Sequence, residues 1–174
     1  SSTASGAATT SSMTSAASGA NDLAIVNYAL TLEYLETQFY ADVAKSGLFK
    51  GKTLSVLKSF GAEEAQHDIE LHQAAMSMGK PAAQPMGKFP LKDAASVAKL
   101  AATVENLGAA AYLGQAPSIK SKEVLAAALS IHSIEARHAA TLNTLTKQPP
   151  TPDGAFGKPM TMAQVLAVVK PFIA

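Results

Sequence analysis

Apolar positions recur along this chain in alternating steps of three and four, the spacing that gathers them on one face of an α-helix. Four stretches carry such a seam. The first predicts a helix over residues 21–45, with Asn21 and Asp22 as N-cap candidates and Val26, Ala29, Glu33, Glu36, Tyr40 and Val43 facing inward. Two glutamates thus stand where a bundle helix wants leucine. The second seam, over 53–78, reads Leu57, Phe60, Glu64, His67, Leu71, Ala74 and Met78, with Gly79 and Pro81 as its stop. The third, over 92–115, reads Ala98, Ala101, Glu105, Gly108 and Tyr112, with small residues that leave room beside the carboxylate. The fourth, over 119–147, reads Val124, Ala128, Ile131, Glu135, His138, Leu142 and Leu145. A short amphipathic helix is expected over 161–169.

The connections decide how these helices are arranged. Gly47 and Gly51 bracket one short link and Pro117-Ser118 forms another, and short links make antiparallel neighbours. Residues 80–91 hold three prolines and a glycine, too many for a helix. Extended, such a segment covers about 40 Å, close to the length of a helix of the second seam's size. The expected fold is therefore all-α: a left-handed four-helix bundle of two antiparallel hairpins, with a long crossover between helices 2 and 3 and a short C-terminal helix. It would occupy 21–148, between a tether over 1–20 and an extension over 149–174.

Composition narrows the picture. With 174 residues, about half of them apolar, the chain can bury a single core. Its net charge of +1 offers no basic stripe for nucleic acid, and no apolar run is long enough for membrane insertion. Residues 1–20 are, apart from Met13, Ser, Thr, Ala and Gly with almost nothing to bury, and read as a tether resembling the linker behind a removed leader. Export to the periplasm or beyond is the expectation on that ground, with a cytoplasmic location as the alternative. The absence of cysteine excludes disulfides and thiolate metal sites. Homo-oligomers are compatible with the sequence.

The chemistry lies in a repeat. Glu64-Ala65-Gln66-His67 and Glu135-Ala136-Arg137-His138 each set a carboxylate and an imidazole three apart, neighbours on one helix face. Each is preceded by about thirty residues by a glutamate with a tyrosine seven positions on: Glu33 with Tyr40, and Glu105 with Tyr112. One two-helix unit is used twice. Four carboxylates in a bundle core repel one another unless positive charge sits among them. Arg137, the only arginine, is off the seam. Two divalent metal ions balance four carboxylates, and oxygen and imidazole donors without thiolate suit iron, manganese or zinc. His72 and His132 fall one step off their seams, at the surface or just behind the site. Glu63, Asp68 and Glu70 read as a solvated face.

Leu32-Glu33-Tyr34-Leu35-Glu36 with Tyr40, Glu64 to His67, Glu105, and Glu135 to His138 together resemble the ferritin-like superfamily. The resemblance is to the ferritin-like domain of exported bacterial and desiccation-related proteins. It implies that Glu33, Glu64, His67, Glu105, Glu135 and His138 are metal ligands, with Glu64 and Glu135 bridging, and that Tyr40 and Tyr112 lie near the centre as catalytic candidates. Glu36 breaks the repeat, since Gly108 stands in the equivalent position. It resembles the extra carboxylate of rubrerythrin-like proteins, as a further ligand, or it accepts a hydrogen bond from a ligating histidine. The resemblance implies two iron or manganese ions, or zinc as purified, and an oxidoreductase acting on dioxygen or hydrogen peroxide in stress defence. A non-catalytic metal-binding, storage or stress-associated structural protein is the alternative. Without cysteine there is no rubredoxin-like iron site to supply electrons.

Overall fold

The computed structural model describes the backbone of residues 6–174 and the side chains from residue 19 onward. The expected tether over 1–20 lies largely outside the described side chains. Five helices follow in order: α1 (Gly6–Lys45), α2 (Gly51–Met78), α3 (Ala94–Gln115), α4 (Lys122–Leu145) and α5 (Met162–Val169). Among the described residues there is no β-strand beyond a single bridge between Gly87 and Ile173. None of these helices is long and apolar enough to cross a membrane.

α1 lies along α2 and α3 along α4, so the two hairpins expected from the short links are present. The helix ends differ from the sequence reading. Neither Asn21 nor Asp22 caps α1, which runs straight through them. Asp22 is instead buried, and its two carboxylate oxygens accept the backbone N–H groups of Lys120 and Ser121 at 2.9 and 2.8 Å. Asn21 donates to the carbonyl of Ser118. These two polar side chains staple the link between α3 and α4 to the first hairpin. The N-caps of α3 and α4 are Asp93 and Ser121, each accepting from the backbone N–H three residues on, which moves both helix starts inward from 92 and 119.

The crossover is tied along α1 by two amide side chains. Asn27 donates to Lys80 O and accepts from Ala82 N, and Gln38 does the same with the carbonyl and N–H of Gly87. Eleven residues separate the two amides on α1, about three helical turns, so the crossover runs parallel to the bundle as its length required. The C-terminus closes over it through hydrogen bonds from Lys88 N to Phe172 O and from Ala174 N to Met86 O. α5 begins with a capping box at Thr161 and Gln164, and buries Val165 and Val169 against Leu32, Leu35, Leu107 and Ala111.

This cover explains why α1 is buried beyond its seam. Every seam residue from Val26 to Val43 is buried, but so are Leu30, Leu32, Leu35 and Phe39. On α4 the seam holds up to Leu142, whereas Leu145, the last helical residue, is exposed. Besides the cluster under α5, two apolar clusters fill the interior at opposite ends of the bundle, one around Ile25, Leu30, Leu71 and Ile131, the other around Phe39, Val43, Leu57 and Leu142. The carboxylate-bearing turns lie between them.

Candidate metal centre

Each bundle helix brings its polar residues to this middle layer because its seam keeps the helical period through them. Glu33, Glu64, Glu105 and Glu135 are fully buried, and Glu36, His67 and His138 nearly so. Their donor atoms form two groups. Glu33, Glu64, His67 and Glu135 offer one set, and Glu64, Glu105, Glu135 and His138 the other, with the donor atoms within each group lying within 4.8 Å of one another. Glu64 and Glu135 belong to both groups.

The two tyrosines exchange partners across the repeat. Tyr112 of α3 donates to Glu33 Oε1 of α1 at 2.5 Å, and Tyr40 of α1 donates to Glu105 of α3. The carboxylate at each outer edge is therefore held by a phenol from the opposite hairpin. His67 Nδ1 lies 3.0 Å from Glu64 Oε2, 3.1 Å from Glu33 Oε2 and 3.4 Å from Glu135 Oε1. His138 Nδ1 lies 2.8 Å from Glu64 Oε1 without hydrogen-bond alignment, and its ring stacks on Phe60 at 3.9 Å.

The sequence pattern assigns Glu63 to a solvated face. It is half exposed, yet its Oε2 lies 2.5 Å from His138 Nε2, so it orients the ring whose other nitrogen points into the layer. Asp68 also has an inward role, accepting from Thr37 at 2.7 Å, while Glu70 is exposed as expected. Glu36 does not accept a hydrogen bond from either histidine. Both its oxygens are buried without a partner, and it stands outside both donor groups. It faces Gly108, where a Cβ would come within 2.4 Å of Glu135 Oε2 and 3.3 Å of Glu36 Oε1. The absence of a side chain at Gly108 thus leaves space for two carboxylates, Glu135 first and Glu36 beside it. His72 and His132 are half-buried and belong to neither group, and Arg137 is exposed.

Burial pushes the carboxyls of Glu33, Glu36, Glu105 and Glu135 above their ordinary range, and repulsion among the carboxylates adds to it. Glu64 is the exception: burial acts on it too, but the close imidazoles of His138 and His67 outweigh it and hold its carboxyl below the usual range. Burial alone would lower the histidines. Contacts with the surrounding carboxyl groups, Glu135 and Glu33 foremost for His67 and Glu105 and Glu64 for His138, instead raise them to about 12 and about 10. Without metal, two imidazolium ions serve as the cations of this layer.

These residues can hold a metal ion. Within the two donor groups, Glu135 leaves both oxygens unpartnered, and Glu64 Oε1, Glu105 Oε2 and His138 Nδ1 are buried without a hydrogen bond. Such unpartnered atoms are costly in a dry interior, and their lone pairs are free for a cation to take. All-oxygen and imidazole donors, with no thiolate, can hold metal ions of the first transition row.

The protonation pattern gives a pH dependence with a definite sign. A carboxyl raised on folding stabilises the metal-free fold below about pH 4.5, and that contribution is lost as pH rises toward its folded value. The raised histidines act in the same direction, losing their contribution above pH 6.5 on the way to about 10 and 12. Chelator-treated protein is therefore expected to melt at a higher temperature at pH 5.5 than at pH 8. Added metal should reverse the order, because its ligands must release their protons to bind it.

The ferritin-like domain model matches residues 21–148. No curated protein matches the chain. Among solved structures, the crystal structure of a conserved hypothetical protein, rv2844, from Mycobacterium tuberculosis is similar at a TM-score of 0.66 and 21% identity, covering 83% of this chain and 96% of that one. At that identity the likeness is one of fold. The family match covers well over half of the sequence and takes in α1 from residue 21, the whole of α2, α3 and α4, and every residue of the two donor groups, and the chain belongs to the ferritin-like domain family.

Proposed function

We propose that this protein is a dinuclear iron or manganese oxidoreductase that reduces an O–O bond, in dioxygen or hydrogen peroxide. The observation that carries the reading is the pair of donor groups sharing Glu64 and Glu135. Shared carboxylates suit two ions side by side, with Glu33 and His67 completing one position and Glu105 and His138 the other. When bound and reduced, such a pair supplies two electrons to the O–O bond. With two protons, one hydrogen peroxide becomes two waters, or one dioxygen becomes hydrogen peroxide.

The chain's own residues set the conditions for that step. Tyr40 and Tyr112 fix the outer carboxylates, and their hydroxyls are the nearest O–H donors to the layer. Glu63 fixes the orientation of His138. The apolar clusters above and below keep bulk water out, which strengthens every charge interaction inside. A role in stress defence outside the cytoplasm belongs to the same proposal. The electrons come from an external donor, since the chain has no cysteine for a second iron site.

The test is metal analysis by inductively coupled plasma mass spectrometry on protein purified without chelator. Anaerobic reduction and mixing with either oxidant follow. About two iron or manganese ions per chain with consumption of oxidant supports the reading. Metal without consumption makes the protein a metal-binding or storage protein, and refusal of metal on reconstitution removes the centre altogether.

A further inference from the structure

We propose that the apolar cavity against Tyr112 is a holding site for dioxygen. This rests on the reading that the centre reduces an O–O bond, and it names which oxidant the protein is built to receive. The cavity lies among the four bundle helices on the Ile25–Ile131 side of the carboxylate layer and has a volume of about 30 Å3. A water molecule needs about 10–15 Å3, so there is room for a ligand of two or three heavy atoms. It stays open because Ala29, Ala111 and Ala128 stand on three of its walls where larger side chains would close it, with Leu71 on the fourth. Tyr112 is both a wall of this cavity and the hydrogen-bond partner of Glu33, which joins the cavity to the centre.

The chemistry of the walls selects the occupant. Tyr112 spends its hydroxyl on Glu33. The one other phenol, Tyr28, is buried with its hydroxyl unpartnered, and burial raises its pKa further. Glu70 is exposed and Gln115 half exposed, at the cavity's edge. A buried water needs two to four polar partners and finds one. Hydrogen peroxide, with two hydrogens to donate, fares worse. Dioxygen has no hydrogen to donate, accepts weakly from a single O–H, and gains from apolar contact on every side.

Xenon is the probe, because it reports on the cavity without any metal. Crystals of the metal-free protein under xenon pressure are expected to show a xenon atom between Ala29 and Ala128. In the reduced, metal-loaded protein, dissolved xenon should slow oxidation by dioxygen and leave oxidation by peroxide unchanged. Ala128→Leu fills the cavity from its wall. It is expected to abolish the xenon site, to keep the metal content, and to slow oxidation by dioxygen about fivefold or more. Absence of xenon from the wild-type cavity overturns the proposal, as does a dioxygen rate that neither xenon nor the filled cavity changes. Oxidation by peroxide but not by dioxygen overturns this inference and leaves the oxidoreductase reading standing. Oxidation by neither removes both.

Discussion

Glu135→Gln is expected to empty both metal positions while leaving the metal-free fold intact. Glu135 is common to both donor groups, and both its oxygens are buried without a hydrogen-bond partner. An amide in its place donates where a cation needs an acceptor, and it removes one negative charge from the point the two positions share. In the metal-free protein the same change is nearly silent. Burial and the neighbouring carboxylates already favour the neutral form of Glu135, and glutamine is neutral with almost the same shape. The expected readings are a fall from about two metals per chain to near none, and a metal-free melting temperature close to wild type. Each site filled at a hundred times its dissociation constant adds about 2.7 kcal/mol. For a chain of this size the loss of two such sites lowers the metal-loaded melting temperature by roughly 10–20 °C. Glu36→Gln is the control: Glu36 lies outside both groups, so that variant should keep both metals. A Glu135→Gln protein that still binds two would remove the shared carboxylate from the account.

The second large effect is expected far from the centre. Gly114→Ala should destabilise the protein by roughly 3–5 kcal/mol, lowering the melting temperature on the order of 10 °C. In an ordinary helix this substitution stabilises, since alanine is the better helix former. Here a Cβ would lie 2.0 Å from the backbone oxygen of Met160 and 3.0 Å from its carbonyl carbon. The obstacle is main chain, not the end of a flexible side chain, so the C-terminal extension has to lift. That segment is held to α3 by the hydrogen bond from Met160 N to Ala110 O, and α5 follows directly after it. Thermal melting measures the loss. Limited proteolysis locates it, with faster cleavage between residues 150 and 160 and a metal content equal to wild type. An unchanged melting temperature would show that the close approach of Met160 does not hold the extension in place.

That the polar residues of the candidate centre gather inside the bundle is legible in the sequence. Helical period is a local property, so the seams placed Glu33, Glu64, His67, Glu105, Glu135 and His138 on inward faces, and all six are buried in one layer. The doubled spacing of glutamate and tyrosine likewise placed Tyr40 and Tyr112 beside it. What could not be read was pairing. Nothing in the spacing says that each tyrosine serves the other hairpin's glutamate, because that depends on how α1 and α3 lie side by side.

Glu63 shows the limit most clearly. It lies next to Glu64 on α2 and off the inward face, so a single-helix reading assigns it to solvent. Only the approach of α4 brings His138 Nε2 to it. Asp22 is the same case at the bundle end: an N-cap residue by type, spent instead on a link nearly a hundred residues away.

By itself the sequence determined the four helices, their inward faces, the two hairpins with their crossover, and the residues that gather at the middle of the bundle. Each follows from interactions within a few residues or from the reach of an extended chain. The tertiary structure alone decided which phenol holds which carboxylate, that Gly108 makes room for Glu135 and Glu36, that Glu63 orients His138, and that the C-terminal segment clamps α3 and the crossover. Those are contacts between side chains distant in sequence. They are set by the register and separation of packed helices, which no local pattern encodes.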